Sequence, residues 1–225
     1  FALSKDKRTL FNNIKFNTIM AKKKNINANG YEYVDLGLPS GTLWATMNVG
    51  SDKPSDAGLY FAWGDKKGYT AEQIEKEKKE FSWNDYKFAP ENTKTTKYNT
   101  AGDKMQLMDD AAHVLMGGDW HIPTPEQIQE LIDNTKNEWT KLNGAGLRGR
   151  LFISKIDDTK SIFIPATGWA WNGIVQLAKV FGAIWASTTD SEIIDCAQGL
   201  VIDYENVSLV HNSRCLGLSI RGVIG

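Results

Sequence analysis

Eight tryptophans, all between Trp44 and Trp185, constrain this 225-residue chain more than any other feature. Seven tyrosines and nine phenylalanines accompany them. Such side chains bury on the order of 150–250 Å² each. A chain so supplied can hold short elements and long connections together with a few large rings, or it can present a surface that grips a partner. The apolar runs between the rings are short and broken by Gly, Pro, Asn and Asp, which disfavours long helices. No run approaches the ~20 apolar residues that span a bilayer, so no membrane insertion is expected. Hydrophobic residues at 41% and charged residues at 24% fit a folded chain and not a disordered one. A formal net charge of −1 argues against nucleic acid as a partner.

The charge is uneven. Residues 1–24 hold seven basic residues against the single acid Asp6. Residues 1–30 are therefore expected to be a basic N-terminal extension, with the fold beginning at Tyr31. Met20-Ala21-Lys22-Lys23-Lys24 has the form of a translation start. Residues 1–19 then read as an upstream extension, or equally as an ordinary basic arm. No apolar secretory core stands before Met20.

Tyr31–Leu36, Thr42–Ala45 and Tyr60–Gly64 read as strands or strand-like segments. Thr70 with Gln73 forms a capping box opening a charged helix that runs to about Glu80. Met105, Met108, Ala112 and Leu115 recur at helical spacing, which predicts a helix over Asp103–Met116 closed by Gly117-Gly118. Thr124, Pro125 and Gln127 announce a second helix over Pro125–Asn134, with Ile128, Leu131 and Ile132 as its buried stripe. Beyond Gly149 the strand candidates are Leu151–Ile153, Ser161–Ile164, Ile184–Ser187, Leu200–Ile202, Val207–Val210 and Leu218–Val223. The chain reads as α+β, with two main helices packed on short, twisted antiparallel sheets.

Several blocks carry a family likeness. They are Asp35-Leu36-Gly37-Leu38-Pro39-Ser40-Gly41-Thr42-Leu43-Trp44-Ala45, Tyr60-Phe61-Ala62-Trp63-Gly64, Phe81-Ser82-Trp83-Asn84-Asp85-Tyr86, Gly117-Gly118-Asp119-Trp120-His121-Ile122-Pro123-Thr124, Ile162-Phe163-Ile164-Pro165-Ala166, Trp185-Ala186-Ser187-Thr188 and Ser219-Ile220-Arg221-Gly222-Val223. In this order they resemble the Fibrobacter succinogenes major paralogous domain family of gut Bacteroidetes and their phages. The likeness covers about Tyr31 to Gly225, and His121 departs from it where the family has Arg. It implies a C-type-lectin-like fold, similar to formylglycine-generating enzymes and to the variable proteins of diversity-generating retroelements. It further implies one ligand-binding domain over residues 31–225 with a variable-type segment at about 169–216. A phage virion, for instance a tail tip, or a cell surface is the setting it suggests.

The chemical constellations are sparse. Trp83-Asn84-Asp85 is a triplet of calcium-dependent lectins, but its partner triplet is missing, and Pro90-Glu91-Asn92 has the letters in another order. Cys196 and Cys215 are too far apart in sequence for the copper-dependent oxidase pattern. His113, His121 and His211 lack ligand spacing, and no nucleophile elbow, phosphate loop or dinucleotide fingerprint occurs. The expectation is a non-catalytic binding protein without metal or cofactor. The alternatives are a formylglycine-generating-type oxidase and a structural bacterial surface protein.

The binding face is sought between Trp169 and Leu216. Strand alternation points Leu200, Ile202, Val207 and Leu209 one way and Gly199, Val201, Asp203, Ser208 and Val210 the other. The second set shares no chemical theme, nor do His211, Ser213, Cys215 and Leu216 in the turn that follows. Adenine randomisation of asparagine codons yields this mixture, and neutral drift of an ordinary loop and sheet face yields it as well. These nine positions, with Trp169 and Trp171 as anchors and Asp195 as a neighbour, are the expected site. A protein or glycan on a cell surface is the expected partner.

Overall fold

The computed structural model describes residues 25–26, 29–89, 95–142 and 146–225. Most of the basic extension and Pro90-Glu91-Asn92 lie outside the described residues. The strands are β1 (Asn25–Ile26), β2 (Glu32–Asp35), β3 (Leu43–Ala45), β4 (Thr135–Lys141), β5 (Arg148–Ser154), β6 (Ser161–Pro165), β7 (Trp169–Trp171), β8 (Ile174–Gln176), β9 (Phe181–Thr189), β10 (Cys196–Asp203), β11 (Val207–Ser213) and β12 (Val223–Ile224). The helices are α1 (Ala71–Glu77), α2 (Ala111–Met116) and α3 (Pro125–Asn134). The strands form small antiparallel sheets in the orders β1-β2-β3-β12, β11-β10-β9, β4-β5-β6 and β7-β8, so the chain is α+β with few helices.

Local signals set two of the helices. At α1 the Thr70 hydroxyl accepts the Gln73 N–H (3.1 Å) while the Gln73 side chain accepts the Thr70 N–H (2.9 Å). The reciprocal pair recurs at α3 between Thr124 and Gln127, with Pro125 in the first turn. The helix expected over Asp103–Met116 is much shorter. A 3-10 turn, Leu107–Asp109, precedes α2, and Asp110 between them takes extended backbone angles. The Asp110 carboxylate caps α2 by accepting the His113 N–H (2.9 Å) and also holds the Ile122 N–H (2.8 Å). A side chain can cap only from outside the helix, so these bonds break the predicted element there. Met108 and Leu115, expected in the core, are exposed.

The β9-β10-β11 sheet is the middle layer. On one face Ile184, Ala186, Leu200 and Ile202 pack with Ile128 and Leu131 of α3 and with Trp44 and Phe152. On the other, Ala183, Trp185, Ala197 and Val201 join Phe61, Trp63, Tyr86 and Trp120. The rings also act as polar clasps across long sequence distances. Trp63 donates its indole N–H to the Ala186 carbonyl (2.8 Å), Trp185 to that of Phe61 (2.7 Å), and the Tyr60 hydroxyl to that of Thr167 (2.7 Å). The Leu218–Val223 segment, expected as a strand, instead makes isolated bridges, Leu218 to Phe61 and Ser219 to Ile184, after Gly217 bridges to Ala170, and only Val223 enters a strand, β12, which closes on β3.

Two arginines are wholly buried. Arg221 donates to the Asn48 side chain and to the carbonyls of Ala45 and Phe163, each at 2.9 Å. Burial pulls its guanidinium down to about 9, so it still stands in the core as a cation at neutral pH. Arg214 donates to the Tyr86 hydroxyl and to the carbonyls of Lys97, Tyr98 and Ile194, and lies 4.8 Å from the centre of the Trp63 ring. Both replace secondary structure as the tie between loops, because a planar fork can satisfy several carbonyls at once.

Candidate functional site

The predicted alternation along β10 and β11 is present, but both faces of the sheet are covered. Val201 is 7% exposed and packs in the aromatic core, with Val210 half-buried against it. Gly199 is buried, and a Cβ there would stand 2.6 Å from the Ile184 carbonyl oxygen. Cys215 is buried as well. These positions feed the core, which corrects the expectation that they form an open face. The sequence pattern separates the two faces of a strand without showing that a second layer covers each.

Asp203 belongs to the β10–β11 turn. Its carboxylate accepts the N–H groups of Glu205 and Asn206, both at 2.7 Å, which hold its carboxyl below the usual range. Its carbonyl accepts from Arg150 Nε at 3.0 Å. Ser208, half-buried, faces Val201 across the ladder on the aromatic side. His211 and Ser213 alternate to the opposite face from Val210, so the set is not one surface.

The far end of the β10–β11 pair gathers a polar corner. Cys196 is opposite Ser213, whose hydroxyl lies 3.3 Å from the Cys215 sulfur. His211 Nδ1 is 4.0 Å from the Asp190 carboxylate, and Arg214 donates its backbone N–H to the Asp195 carbonyl (3.0 Å). Both cysteines are free, and burial raises both thiols above the ordinary value, with Asp190 and Asp195 adding to the rise at Cys196. The thiols are therefore protonated at neutral pH and poorly nucleophilic. Among the described residues no group of three or more His, Cys, Asp or Glu side chains is placed to hold a metal ion.

The Trp169-Ala170-Trp171-Asn172 segment, expected as a loop, is a strand of a tight hairpin. Trp171 pairs with Ile174 across a two-residue turn, Asn172-Gly173, in which both residues have positive φ (51° and 75°). Asn-Gly is the preferred sequence for such a turn. Alternation then divides the hairpin. Ala170 and Val175 face the aromatic core. Trp171 and Ile174 face away, at 44% and 49% exposure, while Trp169 and its cross-strand partner Gln176 are half-buried, Trp169 against the edge of the same core. Leu177 (53%) and Val180 (57%), which follow β8 in the sequence, are exposed as well. Trp169 is half-buried and meets Phe181 edge-on at 5.0 Å, which fixes the base of the patch. On its other side β7 hydrogen-bonds through Ala170 to Gly217, bringing half-buried Leu216 alongside.

The structure thus assembles Trp169, Trp171 and Leu216 of the expected site. It separates them from Asp195, His211 and Ser213 and removes Gly199, Val201 and Cys215 to the interior. Ile174, Leu177 and Val180 were missed, although Asn172-Gly173 between Trp169-Ala170-Trp171 and the apolar pair Ile174-Val175 is a hairpin signal in the sequence itself. Comparison of the chain with protein-family models, curated proteins and solved structures finds no match. Among the described residues no helix is long and apolar enough to cross a membrane.

Proposed function

We propose that this protein is a non-catalytic recognition module of C-type-lectin-like fold, binding a partner on a cell surface through the outer face of the β7–β8 hairpin. The observation that carries the reading is the exposure of the cross-strand pair Trp171 and Ile174 on a hairpin whose Ala170 and Val175 pack into the core, with exposed Leu177 and Val180 following in the sequence. Apolar patches of this kind on a folded surface mark contact sites, and a tryptophan at the centre supplies the anchor. Leu177 also holds a left-handed backbone (φ 52°), a conformation that costs a leucine about 1 kcal/mol or more and that places its side chain in solvent. The aliphatic companions favour a protein partner over a glycan, whose hydroxyls need more polar partners than Asn172 and Gln176 supply. The resemblance to retroelement variable proteins extends the proposal to a diversified surface. The positions free to vary are then Trp171, Asp195 and His211, which are exposed, and not the buried Gly199, Val201 and Cys215.

Screening the full chain against cell-surface protein and glycan arrays, beside Trp171→Ala/Ile174→Ala, tests the proposal. Binding should be lost in the variant while its unfolding free energy changes by no more than about 1 kcal/mol, the range of a surface cross-strand pair. Binding that survives the double substitution would overturn it.

A further inference from the structure

The outer edge of β11 carries a separate feature. Asp203 donates its N–H to the Asn206 carbonyl, and Arg214 donates to that of Asp195, each at 3.0 Å. With Gly199 opposite Val210, these bonds fix the phase of the ladder. Ser208, Val210 and Asn212 exchange hydrogen bonds with β10, so Val207, Leu209, His211 and Ser213 turn their N–H and C=O groups outward. The Ser213 carbonyl is taken by the Leu216 N–H (3.0 Å). Among the described residues no hydrogen bond reaches the outward groups of Val207, Leu209 and His211. β11 is an edge strand, and its seven residues include no Lys, Arg, Asp, Glu or Pro. Natural edges usually carry such a residue, or a bulge or cover, to prevent pairing with another chain.

We propose that β11 pairs antiparallel with β11 of a second copy of this chain about a two-fold axis through Val210. The pattern is self-complementary. Leu209 then meets the second copy's His211 in a hydrogen-bonding position, so their outward N–H and C=O groups answer one another, and Val207 meets its Ser213, whose carbonyl stays with Leu216. On the other face Val210 meets Val210 and Ser208 meets Asn212. No like charges oppose each other at neutral pH, and the two three-stranded sheets become one of six. An isologous contact of this kind closes at the dimer. A seven-residue strand is about 23 Å long, and its contact falls below the roughly 800 Å² per partner of a standard interface. A contact of that size belongs with weak, transient associations.

Sedimentation velocity of the full chain from about 1 to 500 μM covers the concentrations at which a weak association shows. The weight-average mass should rise towards twice that of the monomer, and His211→Pro should stay monomeric throughout. The His211 N–H points outward, so proline there removes no bond to β10. Circular dichroism of the variant checks its fold. Hydrogen exchange of the unaltered chain supplies a readout independent of any variant. The amides of Val207, Leu209 and His211 should exchange freely in dilute solution and become protected in concentrated solution. A chain that stays monomeric at the highest concentration, a folded His211→Pro that still dimerises, or concentration-dependent protection confined to residues 171–180 would each overturn the proposal. So would edge protection that appears only on adding an extended peptide of another protein.

Discussion

Val201→Asn tests whether the inner face of β10 is core or surface. Val201 is 7% exposed, so nearly all of its side-chain burial, about 2 kcal/mol, is lost when an amide replaces it. The amide must then find partners. Its cross-strand neighbours on that face are Ala183 of β9, which offers none, and Ser208 of β11, whose hydroxyl can satisfy one of its polar atoms. The remaining desolvation costs about 1–3 kcal/mol, so the total loss is about 3–5 kcal/mol. For a chain of this size that lowers Tm by roughly 6–20 °C. Urea unfolding followed by tryptophan fluorescence measures it, with Ile174→Asn as the exposed comparison expected to cost about 0.5 kcal/mol or less beyond its cross-strand contact. A Val201→Asn loss below about 1 kcal/mol would refute the two-layer packing of the central sheet and restore this face as a binding surface.

Gly199→Val should destabilise by about 1–3 kcal/mol or prevent folding, because its Cβ would press on the backbone oxygen of Ile184 in the adjacent strand; the soluble yield and urea midpoint report it. Arg221→Lys should cost about 3–5 kcal/mol in the same assay, since an ammonium cannot reach Asn48, Ala45 and Phe163 together and buried carbonyls are left unpaired. Burial alone would raise the Asp109 carboxyl, but bonds from Lys97, Tyr98 and Lys87 outweigh it and hold it below the usual range. A lowered folded-state pKa gives stability that is full above the ordinary carboxylate pKa and fades as the pH falls through and below it. Asp109→Asn should therefore lower Tm at neutral pH and flatten its acid limb, as thermal scans across pH would show.

Where a local rule decides the structure, the sequence was a sufficient guide. The capping boxes of Thr70 and Thr124 need only residues three apart, and α3 begins and ends where its pattern says. Of the strands expected after Gly149, all but Leu218–Val223 follow their apolar runs for the same reason. The helix before Gly117 fails because a distant demand, the Ile122 N–H on Asp110, competes with helical spacing. The expected site fails in a related way. Alternation sorted Val201 from Ile202 correctly, but burial on each side depends on Phe61, Trp63 and Trp120 from far along the chain. The hairpin was legible through Asn172-Gly173, which fixes both its register and its outward residues.

This difference bears on where such a fold can carry variable chemistry. A strand covered on both faces gives each side chain a fixed volume, so changes along β10 affect stability before they reach a partner. The β7–β8 hairpin is held by its backbone ladder, by Ala170 and Val175 beneath, and by the bonds of Ala170 to Gly217. None of these depends on the identity of Trp171 or Ile174. Those positions can change while the scaffold stays, the condition a recognition surface must meet. Five of the eight tryptophans divide along the same line. Trp44, Trp63, Trp120 and Trp185 are fully buried and hold the layers together, whereas Trp171 is 44% exposed on the outer face of the hairpin. Removing a buried ring would be read as unfolding. Removing Trp171 is read as loss of binding.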